Sequence, residues 1–112
     1  MAAEILREQT IRYTGKEIPF SVAIEIERFE EDSSADLLRI DALIHVERSS
    51  QKGIVIGKGG AKLKEIGSAA RQELERIFGR RVFLQTHVRV QEDWSKDARA
   101  LDRFGYRKPG KE

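Results

Sequence analysis

The stretch Gly53-Ile54-Val55-Ile56-Gly57-Lys58-Gly59-Gly60-Ala61-Lys62-Leu63-Lys64-Glu65-Ile66 constrains this chain more than any other. A short aliphatic run, Ile54 to Ile56, meets a Gly-Lys-Gly-Gly turn and passes into apolar residues at helical spacing: Leu63, Ile66, Ala70, Leu74, Ile77 and Phe78. Three glycines in four residues open backbone angles closed to other residues and let a second molecule approach the main chain. A helix that begins there offers free N–H groups and the positive end of its dipole, an arrangement that favours an anion. Lys58 adds a charge at the tip, and Lys62 and Lys64 add two more in the first turn. The reading is a grip for a phosphate backbone; the competing one is a tight helix–helix turn with lysines for solubility.

Nucleotide-hydrolase chemistry does not fit. The phosphate loop G-x-x-x-x-G-K-[ST] needs one residue more than Gly53 to Gly57 supply, and a hydroxyl where Gly59 stands. The dinucleotide pattern G-x-G-x-x-G lacks its third glycine. The GXXG loop of KH domains, which clamps about four nucleotides by their backbone, does fit.

The charge distribution suggests a polyanion partner on one face, with ordinary solvating charge as the equal alternative. Met1 to Ser49 carry 6 Lys/Arg against 11 Asp/Glu, a net −5; Ser50 to Glu112 carry 15 against 8, a net +7. The glycine loop lies in the basic part. Cysteine is absent, so disulfides and thiolate metal sites are excluded. His45 and His87, with no supporting carboxylate cluster, make a poor metal site, and no metal or other cofactor is expected. No apolar run approaches the roughly 20 residues of a membrane span, and no signal peptide is visible; a cytoplasmic location is expected.

The pattern predicts a helix over Ala3 to Tyr13, stopped by Gly15, with a thin apolar face of Ile5, Leu6 and Tyr13. Strands follow over Phe20 to Phe29 and Asp36 to Glu47, alternating in period two and joined by an acidic hairpin loop. His45, Glu25, Glu27, Asp41 and Glu47 fall on faces turned away from the expected core. Ser49 and Ser50 are N-cap candidates for a short helix through Ile56. A long helix over Ala61 to Phe78 ends at Gly79; its interior Gly67 suggests close packing against the short helix. Val82 to Val90 form a third strand, whose apolar face Thr86 interrupts. Asp97 to Phe104 suit a last short helix, with Trp94 as an anchor and a frayed tail from Gly105. The expectation is one domain, 1–112, of α+β class: helix-strand-strand-helix-helix-strand. A mixed three-stranded sheet, with a right-handed crossover to a parallel third strand, carries its helices on one face.

That order is the type II KH arrangement. Glu47 to Gly60 (ERSSQKGIVIGKGG), the helix Leu63 to Arg71, the ending Val88-Arg89-Val90 … Asp93-Trp94 and Leu101 to Tyr106 resemble the C-terminal KH domain of the bacterial Era-type GTPases. The resemblance covers nearly the whole chain. No residue matches the GTPase motifs, so the chain is expected to be the RNA-binding half, not an enzyme, whether detached or cut at the interdomain linker. The resemblance implies binding to the single-stranded 3′ end of small-subunit (16S) ribosomal RNA during assembly of the 30S subunit. It also implies peripheral association with the inner membrane. One departure is Thr86-His87-Val88-Arg89-Val90, where the family often has Leu-Trp-Val-Lys-Val.

Carried over, Gly57, Lys58, Gly59 and Gly60 are the clamp, with Gly59 and Gly60 offering N–H groups. Ile54, Ile56, Leu63 and Ile66 are candidates for the wall of a base groove, and each is equally a candidate for the core. Lys52, Lys62 and Lys64 are candidate phosphate contacts, or solvated surface. Arg71 has Glu75 at four-residue spacing as an alternative partner. A second reading of the chain is a protein-interaction module that docks a ribosomal or assembly partner.

Overall fold

The computed structural model describes residues 1–15, 22–92 and 105. Its elements run α1 (Ala2–Thr14), β1 (Ala23–Asp32), β2 (Leu37–Val46), α2 (Ser49–Ile56), a single 3-10 turn (Lys58–Gly60), α3 (Ala61–Phe78) and β3 (Arg81–Val90). The expected order is therefore observed. The sheet has the order β1-β2-β3. β1 pairs antiparallel with β2, and β3 runs parallel to β2 from Leu37↔Arg81 to Val46↔Val90. The expected last helix, Trp94, Phe20 and the tail beyond Gly105 lie outside the described residues.

Period two explains the core. Leu38, Ile40, Ala42, Ile44 and Val46 of β2 all point to the helix layer and are buried. They meet Leu6 of α1, Val55 of α2, and Ile66, Ala70 and Leu74 of α3 in one cluster. Each such aliphatic side chain contributes about 1.5–3 kcal/mol by leaving water.

α1 is buried more deeply than its thin apolar stripe suggests. Gln9, Thr10 and Thr14 are buried along with Ile5 and Leu6. The hydroxyls of Thr10 and Thr14 donate to the carbonyls of Leu6 and Thr10, each at 2.8 Å, which removes the cost of placing them inside. Gly15, at φ 63°, ends the helix as expected, its N–H bonding Ile11 O.

β1 departs from simple alternation. Its register slips between Ile26 and Arg28, leaving Glu27 without a partner on β2. The slip puts Phe29 opposite Ile40, on the helix face, although its odd number would place it with Glu25 and Glu27. There its ring meets Phe78 edge-on at 5.7 Å. A bulge is the means by which a strand re-aims a side chain. The hairpin closes at residues 33–36, later than the acidic stretch suggests, with Asp36 at φ 50°.

Two expectations need correction. His45 lies on the face away from the helices but is not turned to water: its side chain is 1% exposed, with Nε2 2.9 Å from Glu25 Oε1. Ala23 and Leu43 are buried on the same face, so the second face of the sheet is partly covered too. And Gly67 does not face the short helix. A Cβ there would meet only Thr86 Oγ1 of β3, at 4.0 Å.

Candidate nucleic-acid interface

The interface is built on the junction of α2 and α3. α2 is not capped by Ser49 or Ser50, which are its first two helical residues; the N-cap is Arg48. An arginine side chain carries no acceptor, so it cannot cap the helix. Gln51 does the work instead. Its side-chain carbonyl accepts from the backbone N–H groups of Glu47 and Arg48, both at 3.0 Å. Gln at the third helical position is half of a capping box, the signal by which the sequence would have revealed it.

Gly57 ends α2, its N–H bonding Gly53 O at 2.9 Å. The three loop glycines all take positive φ: Gly57 at 74°, Gly59 at 63° and Gly60 at 81°. Their reasons differ. A Cβ on Gly57 would lie 2.5 Å from Lys62 Cβ and 2.9 Å from Lys62 N, so here the two helices touch. At Gly59 and Gly60 a Cβ would meet nothing within 4 Å. Those two positions need glycine for the turn, and the space beside them is open.

The main-chain donors sort themselves in the same way. Gly60 N–H is bonded to Gly57 O at 3.2 Å, and Ala61 N–H to Lys58 O. The N–H groups of Lys58 and Gly59 have no acceptor among the described residues. Of the expected donors Gly59 and Gly60, only Gly59 keeps its amide open among the described residues, because the 3-10 turn uses the Gly60 amide internally.

The expected lysines take unequal places. Lys58 is exposed and forms no ion pair with another described residue; Lys64 is exposed, and Lys52 is half-buried. Lys62 Nζ lies 3.9 Å from Glu65 Oε1, so its charge is partly spent within the helix. Arg71 takes its alternative partner: Nη1 is 3.0 Å from Glu75 Oε1. Glu75 Oε2 also accepts from the N–H of Val82, tying α3 to the start of β3.

Among the groove candidates, Ile54, Ile56 and Leu63 are half-buried and keep part of their surface open. Ile66 is 0% exposed. It belongs to the core and not to a groove wall, because its position on α3 puts it in the buried cluster shared with α1, α2 and the sheet. Among the described residues no group of His, Asp and Glu is placed to hold a metal ion, and no helix is long and apolar enough to cross a membrane.

A loop of this geometry, between two short-spaced helices over a mixed sheet, has a match among known families. Residues 17–95 match the KH domain family. The chain belongs to the KH domain family. Its strand and helix order is the type II form, and its similarity is to the Era-type GTPases. GTPase Era of Stenotrophomonas maltophilia is 58% identical over 106 residues, covering 95% of this chain and 35% of that protein. GTPase Era of Xanthomonas oryzae pv. oryzae matches to the same extent. This KH chain therefore spans about a third of the length of the curated relatives it matches. Two solved structures superpose with a TM-score of 0.90 at 42% identity, over 96% of this chain and 36% of theirs. One is Aquifex aeolicus Era bound to GDP and AlF4-; the other is Era in complex with MgGDPNP and nucleotides 1506–1542 of 16S ribosomal RNA.

Proposed function

We propose that this KH domain is a non-catalytic module that binds single-stranded RNA through Gly57 to Gly60. Its target on this reading is the 3′ end of small-subunit ribosomal RNA, bound during assembly of the 30S subunit. The observation that carries the reading is the pair of main-chain N–H groups at Lys58 and Gly59 that have no acceptor among the described residues, beside the Lys58 charge, which has no partner among them, and open space. Main-chain donors and a single cation hold phosphate without reading sequence, which suits a backbone clamp. Lys52 and Lys64 extend the basic strip on either side, and Lys62 joins it when RNA displaces Glu65. Ile54, Ile56 and Leu63 offer an apolar surface on which an unstacked base can lie. The complex of Era with 16S ribosomal RNA, at 42% identity, supports the choice of target.

The test is titration of a labelled single-stranded RNA with the 16S 3′-terminal sequence, at two salt concentrations, against the native domain and Lys58→Asp/Gly59→Asp. Asp tolerates the positive φ of Gly59 better than most residues, a Cβ there meets nothing within 4 Å, and Lys58 is exposed. The native domain should bind less tightly at the higher salt, and the double variant should lose binding while keeping its circular dichroism and melting only several degrees lower. Equal binding by a folded double variant defeats the clamp. No binding by the native domain at low salt shifts the function to a protein partner.

A further inference from the structure

The sheet has a second face, turned away from the helices, and its β3 side is open. β3 alternates without a break, so Arg81, Phe83, Gln85, His87 and Arg89 share that outer face, and every one of them is exposed. The strand holds no acidic residue. Arg39 of β2 stands opposite Phe83 in the parallel register, its guanidinium carbon 5.7 Å from the ring centroid. Phe83 is nonetheless 44% exposed, so its ring adds little to the core. Ala23, Leu43 and His45 are buried on the same face, which confines the open surface to β3 and Arg39.

The arginines here are left uncommitted. Arg28, Arg71, Arg76 and Arg80 are each held by a carboxylate. Arg39, Arg81 and Arg89 form no ion pair with another described residue. Arg81 donates to Ala35 O at 2.7 Å and is tied to the hairpin. Arg39 has a carboxylate across the strand pair, Glu30, but Glu30 Oε1 accepts from Arg28 Nε at 2.8 Å instead. Arg39 is therefore left to stack on a ring, the arrangement in which a guanidinium keeps its donors free. Charge then reverses across the face, since Glu25, Glu30 and Asp32 lie on the β1 side.

The strip leads back to the loop. α3 starts at the loop, and β3 follows it after only residues 79–80, so the strand returns toward the loop and Arg89 lies at that end. α2, which ends at the loop, touches β3 as well. Phe83 lies six residues before Arg89, about 20 Å at the strand rise of 3.3 Å per residue. That is further than a loop holding about four nucleotides extends its own grip.

We infer that the outer face of β3, with Arg39, Phe83 and Arg89 as its contacts, is a second docking surface for single-stranded RNA, and that it takes nucleotides running beyond the loop. The inference rests on the RNA-binding reading above and extends it to RNA longer than the loop holds. Arginines alone would suit any polyanion. The exposed ring beside them selects one that carries flat bases, because a base stacks on an aromatic face whatever its identity. The acidic β1 side keeps the strand on β3. A second copy of this chain is a poor occupant, since the face turned on itself would oppose arginine to arginine.

The experiment uses a fluorescein-labelled hexanucleotide of U, which fills the loop, and a dodecanucleotide of U, which also reaches the strip. Affinities across a salt series, and melting temperatures, are measured for the native domain, Phe83→Leu, Arg39→Gln/Arg89→Gln and the loop variant Lys58→Asp/Gly59→Asp. A longer RNA gains registers in any case, so the deciding comparison is between proteins on the same RNA. Phe83→Leu should weaken the dodecanucleotide on the order of 10-fold, the worth of one stacked base, and leave the hexanucleotide unchanged. Arg39→Gln/Arg89→Gln should lower the salt slope of the dodecanucleotide alone by about 1.4, at roughly 0.7 per phosphate contact. The loop variant should lose the hexanucleotide. If the face variants hold the dodecanucleotide with native affinity and slope, the inference falls and the surface belongs to a protein partner or to solvent, while the clamp stands. If they weaken both RNAs equally, the face is not a separate contact and the inference falls. If the native domain binds neither RNA, the inference falls together with the reading it rests on.

Discussion

Gly57 and Gly59 share a residue type and a sign of φ, but the fold asks different things of them. At Gly57 the obstacle is steric as well as conformational, since any Cβ collides with the backbone and Cβ of Lys62. Gly57→Ala should therefore cost about 1–3 kcal/mol, through strain and a shift of α3 against α2. Gly59→Ala, strained in φ alone, should cost only about 1 kcal/mol. Urea denaturation of the two variants separates these outcomes. Gly67→Ala should run the other way and stabilise the domain by about 0.5–1 kcal/mol, because the helix gains and nothing is displaced. At the hairpin, Ser34 Oγ donates to Asp32 Oδ1 at 2.7 Å and holds that carboxyl below its ordinary pKa. A depressed folded value means the contribution is present above the ordinary carboxylate range and is lost as pH falls through the folded pKa. Ser34→Ala should move the Asp32 pKa upward in a carbon-detected NMR titration.

Between elements, the decisive contacts are those that fix α3. Ile66 is fully buried in the common core, and Ile66→Ala should cost about 2–5 kcal/mol by the cavity it leaves. Because the same helix carries the loop, that variant should lose RNA binding at temperatures where it is partly unfolded and regain it on cooling. Glu75 has a different task. One oxygen pairs with Arg71 and the other accepts from the first buried residue of β3, Val82. Glu75→Ala leaves the Val82 N–H without its acceptor and should cost about 1–3 kcal/mol, read by chemical denaturation, with faster amide exchange confined to the start of β3. The bulge at Glu27 is also an element-scale device. Deleting Glu27 would remove the slip and restore plain alternation with Arg28 still opposite Asp41 and Phe29 still opposite Ile40, so Phe29 should keep its place against Phe78.

Over the whole molecule, the acidic and basic parts of the chain separate by element. β1 carries five acidic residues against one basic, whereas α2, the loop, α3 and β3 together carry eight basic residues against three acidic. The loop lies within this basic part of the chain, and association with RNA should follow the linear dependence of log affinity on log salt that phosphate contacts produce. Removing Lys58 alone should lower that slope by about 1, measured by anisotropy across a salt series.

Periodicity made the elements legible: alternation along β2 and the three-and-four spacing of α3 were read directly, with boundaries correct to a few residues. The glycine loop was legible because three glycines around one lysine have few other uses. The remainder was hidden for physical reasons. The Glu27 slip depends on which residue of β2 pairs with which of β1, and His45 owes its burial to what lies on the second face of the sheet. The Gly60 amide is lost to a 3-10 turn whose closure only coordinates reveal. Gly67 and Thr86 lie 19 positions apart in sequence, and only the parallel β2–β3 register brings them together. Local covalent and conformational preferences determined which segments form and where the chain turns; the choice of free donors, and of side chains that share a face, belongs to long-range packing, because a residue's exposure is a property of its neighbours.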